Sequence, residues 1–291
     1  MKKNIVCFCA LILCLSGLIF AQKSEGDRAM NQPVEPFKII GNIYYVGASD
    51  VTSYLITTPN GHILIDSGFE ETVPQIKANV AKLGFKLEDI KILLINHAHY
   101  DHCGGLAEMK KLTGAKLYAS PADVAVLEDG GKSDFRFGGD KPLFTPAKVD
   151  EILKDGQEIK LGNTSLKTYF THGHTKGATS WTTDIVENGK KYKAVFASSV
   201  TTLDYSFVNN AKYPNIAEDF TKTFETLGKI KADVFLASHG VFFNLKNKAE
   251  RLRKGAKANP FIDAKGFQKF VEKMSKAFQD KLKAEKKGKK S

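Results

Sequence analysis

Residues 97–105 read HAHYDHCGG, which puts three of the chain's seven histidines and an aspartate into six positions. The run follows the apolar stretch IKILLI at 90–95, so a buried strand delivers the chain into a loop dense in potential ligands. In extended backbone, side chains two residues apart point to the same side, which makes His97 and His99 a chelating pair. Asp101 and His102 add a hard oxygen and a further imidazole. Imidazole and carboxylate ligands without thiolate suit a catalytic zinc, whereas closed structural zinc sites favour cysteine-rich sets. Two more histidines stand near strand ends before small residues: His174 in FTHGHTKGATSW and His239 in FLASHG. The six candidates divide into two sets of three, and three protein ligands per metal leave a position open for water, the arrangement of a hydrolytic site. Four potential ligands directly after an apolar strand serve no packing purpose. His62 and His172, which stand outside the pattern, read as surface or hydrogen-bonded core histidines.

The elements that must position these residues alternate between strand and helix. YYVGASDVTSYLITTPNGHILIDSG, with its Pro59-Asn60-Gly61 turn, predicts antiparallel strands entering a sheet. A helix follows, with Thr72 as its cap, Pro74 in its first turn, Val73, Ile76, Val80 and Leu83 on one face, and Gly84 at its end. The second half predicts strands at Glu158 to Leu161 and Ser165 to Phe170, a hairpin turned at Asn188-Gly189, and a helix burying Ile216, Phe220, Phe224, Leu227 and Ile230. VFLAS then leads to His239, and a last amphipathic helix uses Phe267, Phe270, Val271, Met274 and Phe278. Such alternation predicts a layered α/β architecture. With no linker rich in Pro, Gly or Ser and no short-period repeat, one domain is expected over 22–280.

The ends constrain the setting. Residues 1–21, MKKNIVCFCALILCLSGLIFA, have two lysines, an apolar run and a small residue at the end, the pattern of an export signal. The run is shorter than the roughly 18 to 20 residues of a spanning helix, so no stable membrane insertion is expected. Cys7, Cys9 and Cys14 all lie in that segment, which leaves Cys103 as the one thiol of the exported chain and rules out an internal disulfide. The formal charge of +11 is concentrated at the ends: residues 276–291 carry seven lysines against Asp280 and Glu285, leaving about +4 for residues 22–275. Residues 281–291 are therefore read as a solvated lysine-rich tail. No basic run interleaved with aromatics marks a nucleic-acid surface, and no obligatory protein partner is evident.

HAHYDH matches the H-x-H-x-D-H signature of the metallo-β-lactamase superfamily, and GHILIDSG, HGHTKGATSW and FLASHG resemble its accompanying motifs in the same order. The similarity runs from about Phe37 to Phe278. It implies a four-layer αβ/βα sandwich with the metal site at the edge between two sheets. Within the superfamily the chain most resembles subclass B3, through SHGVFFNLKNKAERLRKGAKANPFID, GGKSDF at 130–135 and YPNIAEDF at 213–220. That resemblance implies a first zinc on His97, His99 and His174, and a second on Asp101, His102 and His239. The other β-lactamase subclasses use a cysteine at a later strand end, and glyoxalase-like thioesterases, lactonases and phosphodiesterases use a metal-bridging aspartate there. Here the region reads FASSVTT, and the nearest downstream carboxylate is Asp204. The resemblance instead gives Ser198 or Ser199, with Thr201, the task of binding the substrate carboxylate. Two departures stand out: His172 where the family commonly has proline, and Cys103 where it has a small apolar residue.

The implied activity is hydrolysis of penicillins, cephalosporins and carbapenems in the periplasm, with two Zn2+ ions per subunit and a small-molecule β-lactam as substrate. Zinc lowers the pKa of bound water from 15.7 towards roughly 7, which provides hydroxide at neutral pH. Asp101 is expected to orient that water and to shuttle its proton. Asp66, at the end of ILID, reads either as an acceptor for a ligand imidazole or as a strand-end aspartate capping a turn. The alternative activity is the same fold and metal acting on a lactone, thioester or phosphodiester.

Overall fold

A computed structural model describes residues 24–288 of the protein, so the export segment at 1–21 lies outside the described residues. The chain enters through a short helix, α1 (Glu25–Met30), whose first turn is closed by reciprocal hydrogen bonds between Ser24 and Asp27. A seven-stranded sheet then forms in chain order: β1 (Phe37–Ile40), β2 (Ile43–Tyr45), β3 (Tyr54–Thr58), β4 (Gly61–Ile65), β5 (Ile90–Leu94), β6 (Lys116–Ala119) and β7 (Glu151–Ile152). Its first four strands are antiparallel, and β4 to β7 run parallel.

The alternation of side chains along these strands separates two cores. Tyr54, Ile56, Ile63, Ile65, Ile92 and Leu94 point into one, while Leu55, Leu64 and Leu93 between them point into the other. The second core is closed by α2 (Val73–Lys82), α4 (Leu106–Thr113) and α5 (Val124–Glu128), through Val73, Ile76, Val80, Leu106, Met109 and Leu127; the single turn α3 (Tyr100–Cys103) precedes α4. Such runs, buried on both faces, suit a sheet covered by helices on one side and a second sheet on the other.

That second sheet has five strands in the order β12-β11-β10-β9-β8, built from β8 (Glu158–Leu161), β9 (Thr164–Phe170), β10 (Thr179–Glu187), β11 (Lys190–Ala197) and β12 (Val234–Ala237). The β10–β11 hairpin turns at Asn188 and Gly189, both with positive φ (51° and 75°), the pair of left-handed residues that a two-residue turn needs. Trp181 and Phe196 fill the space between the sheets, with Phe196 5.2 Å from the Tyr54 ring. The last layer contains α6 (Ile216–Lys229), α7 (Leu245–Arg253) and α8 (Gly266–Gly288), and Phe220, Phe224 and Phe278 lock α6 to α8. Truncating a fully buried ring such as Phe220 costs about 3–5 kcal/mol. The four-layer αβ/βα sandwich expected from the motifs is the observed fold.

Three local readings are corrected. Thr72 does not cap α2: it is helical itself, ends a short 3-10 turn from Glu70, and donates its hydroxyl to Asn31. The boundary at residue 280 falls inside a helix, because α8 continues to Gly288, with Leu282 packed on the core and Glu285 accepting the N–H groups of Phe207 and Val208. The helix α1, absent from the sequence reading, reaches the mouth of the site through Asp27 and Met30. No helix among the described residues is long and apolar enough to cross a membrane.

Candidate metal centre

The loops that leave β5, β9, β11 and β12 meet at one edge of the sandwich. This is where an α/β sheet offers its strand ends to ligands. His97, His99 and His174 come together there with ring centroids 4.8 Å apart in every pair. All three are buried. Neither ring nitrogen of His97 has a hydrogen-bond partner, and Nε2 of His99 has none either, though the Asp134 carboxylate lies 3.8 Å from it. Leaving a buried polar atom unpaired costs about 1–3 kcal/mol, so this clustering needs a compensating partner. His174 places Nδ1 2.9 Å from the carbonyl oxygen of Thr201, which holds the ring and leaves Nε2 as a ligand.

Asp101, His102 and His239 form the second set. Their ligand atoms are 3.2 Å apart between Asp101 and His102, 3.2 Å between His102 and His239, and 3.6 Å between Asp101 and His239. Nδ1 of His239 is held by the Asp50 carboxylate at 3.0 Å, whose other oxygen accepts the N–H of Val241. Nδ1 of His102 faces Asp66 at 3.3 Å, close enough for an ion pair but out of line for a hydrogen bond. His97 stands between the two sets, since one of its nitrogens also groups with a carboxylate oxygen of Asp101 and a nitrogen of His102.

Burial sets the charge of the first set: it pushes His97 and His99 well below the ordinary imidazole range and His174 down to about 4, with the neighbouring histidines adding to the effect on His97. Neutral rings keep a lone pair for a cation. For His102 burial acts in the same sense, but the Asp101 and Asp66 carboxylates overcome it and hold its pKa up at about 10. Burial likewise opposes ionisation of Asp101, yet His102, then His239 and His99, keep its carboxyl well below the usual range. Five imidazoles, one carboxylate and no thiolate make a donor set that fits zinc, and the unpaired nitrogens of His97 and His99 are where a cation would satisfy them.

The loop that carries His97 is held from behind. Asp66, itself at φ 61°, accepts both the backbone N–H (2.7 Å) and the side-chain amide (2.9 Å) of Asn96, so it braces the loop as well as facing His102. The three hydroxyls read as substrate contacts separate here. Ser198 donates to the Asn96 carbonyl at 3.0 Å and is wholly buried, Ser199 pairs with Ser238 at 2.8 Å, and Thr201 lies 3.1 Å from His174 Nδ1. Ser199 and Thr201 line the cleft over the histidines, a space of about 350 Å³, while Ser198 faces away from it. Tyr100, Phe137, Leu203, Val241 and Phe242 give the cleft an apolar rim.

Other residues fall outside the cluster. Asp204 takes both its oxygens to Arg136, at 2.8 and 2.9 Å, which joins the loop at 133–137 to the loop after β11. Cys103 is fully buried and burial pushes its thiol up. His172 is half-buried and stacked on Phe170 at 5.0 Å rather than exposed in a loop, and His62 packs edge-on against Phe85. Sequence reasoning missed Asp50, Asp134 and Tyr205, whose hydroxyl donates to the His174 carbonyl at 2.8 Å. Their partners lie 31 to 189 positions away, so no local spacing marks them. The one available signal for Asp50 is an acidic residue in a loop between two strands of one sheet.

A sequence model of the metallo-beta-lactamase superfamily matches residues 46–239. Among solved structures, the FEZ-1 metallo-beta-lactamase of Legionella gormanii is 45% identical with a TM-score of 0.86, covering 88% of this chain and 98% of that one. A class B3 di-zinc metallo-beta-lactamase, LRA-12 from an Alaskan soil metagenome, is 39% identical (TM-score 0.83; 90% and 98% covered). A Cronobacter sakazakii metallo-beta-lactamase, also 39% identical (TM-score 0.85; 89% and 98%), is distinguished by an HARLDQ motif, against HAHYDH here. Curated relatives are more distant: a hydroxyacylglutathione hydrolase of Rhodopseudomonas palustris is 27% identical over 60% of this chain and 57% of its own, and a Thermus thermophilus ribonuclease is 26% identical over 59% and 40%. The chain thus spans about half the length of the curated relatives it matches.

Proposed function

The chain belongs to the metallo-β-lactamase superfamily, and on that premise we propose that it is a zinc-dependent hydrolase opening the β-lactam amide of penicillins, cephalosporins and carbapenems. The observation that carries this reading is the buried, unpartnered ring nitrogens of His97 and His99, in a chain 45% identical to a metallo-beta-lactamase over 98% of that enzyme. His97, His99 and His174 would hold a first zinc, and Asp101, His102 and His239 a second. Zinc supplies Lewis acidity and a water acidified from ~15.7 towards roughly 7.

The remaining tasks belong to the chain. The Thr201 carbonyl and Asp50 fix one nitrogen of His174 and of His239, which orients the other as a ligand. Asp101, ionised throughout the neutral range, accepts hydrogen bonds on the cleft side and so orients the attacking water. Ser199 and Thr201 offer hydroxyls to the substrate carboxylate, and Ser198, turned to Asn96, holds the ligand loop instead. Tyr100, Phe137 and Phe242 cover the bound ring and thin the water around it. Residues 1–21 act in this reading as an export signal, which places the enzyme in the periplasm, where destroying a small-molecule β-lactam confers resistance.

A second reading is favoured by the relatives named as a hydroxyacylglutathione hydrolase and a ribonuclease: the same site acting on a thioester, lactone or phosphodiester. Against it stand Ser198 and Ser199 where such enzymes place a bridging aspartate, and Asp204, which is committed to Arg136. The deciding experiment follows the ultraviolet absorbance of a carbapenem with the purified chain, zinc-loaded and after chelation. Zinc-dependent loss of absorbance is expected. Absence of turnover alongside rapid thioester, lactone or phosphodiester hydrolysis by the same sample would overturn the β-lactamase reading.

A further inference from the structure

Asp123 is 2% exposed, lies on the turn between β6 and α5, and has no part in the chemistry above. Its carboxyl accepts the backbone N–H groups of Ala98 and Gly177. Ala98 stands between His97 and His99; Gly177 follows His174 by three residues. The contact at Gly177 is close packing: a Cβ there would fall 2.2 Å from the Asp123 carboxyl carbon and 2.3 Å from Ser120 Oγ, so only glycine lets the backbone lie against this turn. Ser120 donates to the Gly177 carbonyl at 2.8 Å, so the segment 120–123 grips both backbone groups of residue 177. On the other loop, Asp66 holds Asn96 and Asp123 holds Ala98, so two carboxyl groups hold alternate residues of a strand-like stretch. The intervening His97 and His99 then point to the opposite side, into the cleft.

A carboxyl buried this deeply is costly to keep unless its bonds do something specific. Asp134 adds a like charge nearby, so nothing in the pairing with that residue offsets the cost. We infer that Asp123 is a positioning residue for the first metal: its buried carboxyl ties the loop bearing His97 and His99 to the loop bearing His174, and so sets the spacing of three ligands drawn from two sheets. The inference rests on the proposed assignment of the two ligand sets. It predicts a selective effect, because His239 and His102 face Asp50 and Asp66, and Asp101 faces those two histidines, with no contact from any of them to Asp123 among those described.

The test uses the full chain loaded with cadmium and read by cadmium-113 resonance, where the three-histidine site and the site containing a carboxylate give separate signals. Asp123→Asn puts an amide N–H2 against one of two N–H donors and breaks that bond. First-site affinity should fall about 10- to 100-fold, the usual effect of losing a ligand's supporting bond, with the second signal unmoved. First-site affinity within twofold of wild type, or equal loss at both sites in a folded variant, overturns the inference. Wild-type protein that takes up no cadmium on the histidines overturns the site assignment itself, and is read before any variant. If Asp123→Asn does not fold, hydrogen exchange on the wild-type chain decides: the Ala98 and Gly177 amides should exchange as slowly as those of β5, and exchange at exposed-loop rates refutes the tie.

Discussion

His97 and His102 are five residues apart, one in the loop after β5 and one in the turn α3, and almost equally buried, yet the fold holds them in opposite electrical states. Around His97 lie other imidazoles, and its nitrogens have no protein partner; burial and those neighbours keep it neutral. Around His102 lie Asp66 and Asp101, which hold a proton on it far above the ordinary imidazole range. The same contrast divides the sets. The first is neutral and under-bonded, so it gains most from a cation; the second is an ion-paired network in which carboxylates already face the imidazoles. Residue type chose the ligands, and the placement of aspartates decided what each ligand needs.

Two substitutions break this contrast in turn. His97→Ala removes the residue common to both ligand groupings. Lewis-acid activation is worth several kcal/mol, and each 1.36 kcal/mol is tenfold, so kcat/KM should fall by about a thousandfold or more, with bound zinc lost. His102→Ala leaves Asp101 and His239 at the second set and the first set whole, so the loss should be smaller, about 10- to 100-fold. Metal content and turnover measured together on the two variants check this. Equal losses would mean that the sets act as one and that the contrast has no functional weight.

A finer cut is Asp50→Asn, which replaces no proposed ligand but removes the carboxylate that faces His239 Nδ1. Affinity at the second metal should drop about 10- to 100-fold, measured by competition with a chromophoric chelator, while the first metal is retained. Simultaneous release of both metals would contradict the separation of the sets.

How much of this was legible beforehand follows the range of the interactions. His97, His99, Asp101 and His102 announce themselves because the chain places them within six residues after an apolar strand; the strand and helix periods predict a layered α/β chain, and the motif resemblance implies the αβ/βα sandwich. His174 and His239 were readable as strand-end histidines. Asp50, Asp123 and Asp134 were not: Asp50 meets His239 and Asp123 meets Gly177 only when the two sheets close on one another, and Asp134 reaches His99 from a separate loop far along the chain. Ser198 and Ser199 look alike in sequence, and only the strand's side-chain alternation after β11 sends one to Asn96 and the other to the cleft wall. The lysine-rich end looked solvated because its charge dominates its composition, whereas Leu282 and Glu285, two residues among many lysines, are enough to continue α8 onto the body.

The smallest effect separates the sets by pH in the metal-stripped protein. Between about pH 4 and 6.5, the unfolded chain takes protons on His97, His99 and His174 that the folded chain refuses, down to about 4 at His174, and half-buried His172 adds the same sign. Stability therefore falls as pH drops through this window, since the unfolded state binds more protons. Asp123, raised to about 8 by burial, and Asp134, raised by the same cause, keep protons when folded and oppose the trend, two groups against four. His102 is protonated in both states below 6.5 and adds no slope there. Above 6.5 it reverses roles: the folded chain holds its proton to about 10 while the unfolded chain has released it, so stability is lost as pH rises towards 10, with Asp123 adding to the loss up to about 8. Urea midpoints of the stripped protein should thus peak near neutrality, with the acid limb owed to the first set and the alkaline limb to the second. His102→Ala should flatten the alkaline limb and leave the acid limb in place; an acid limb that vanished with it would mean that the two sets share one titration.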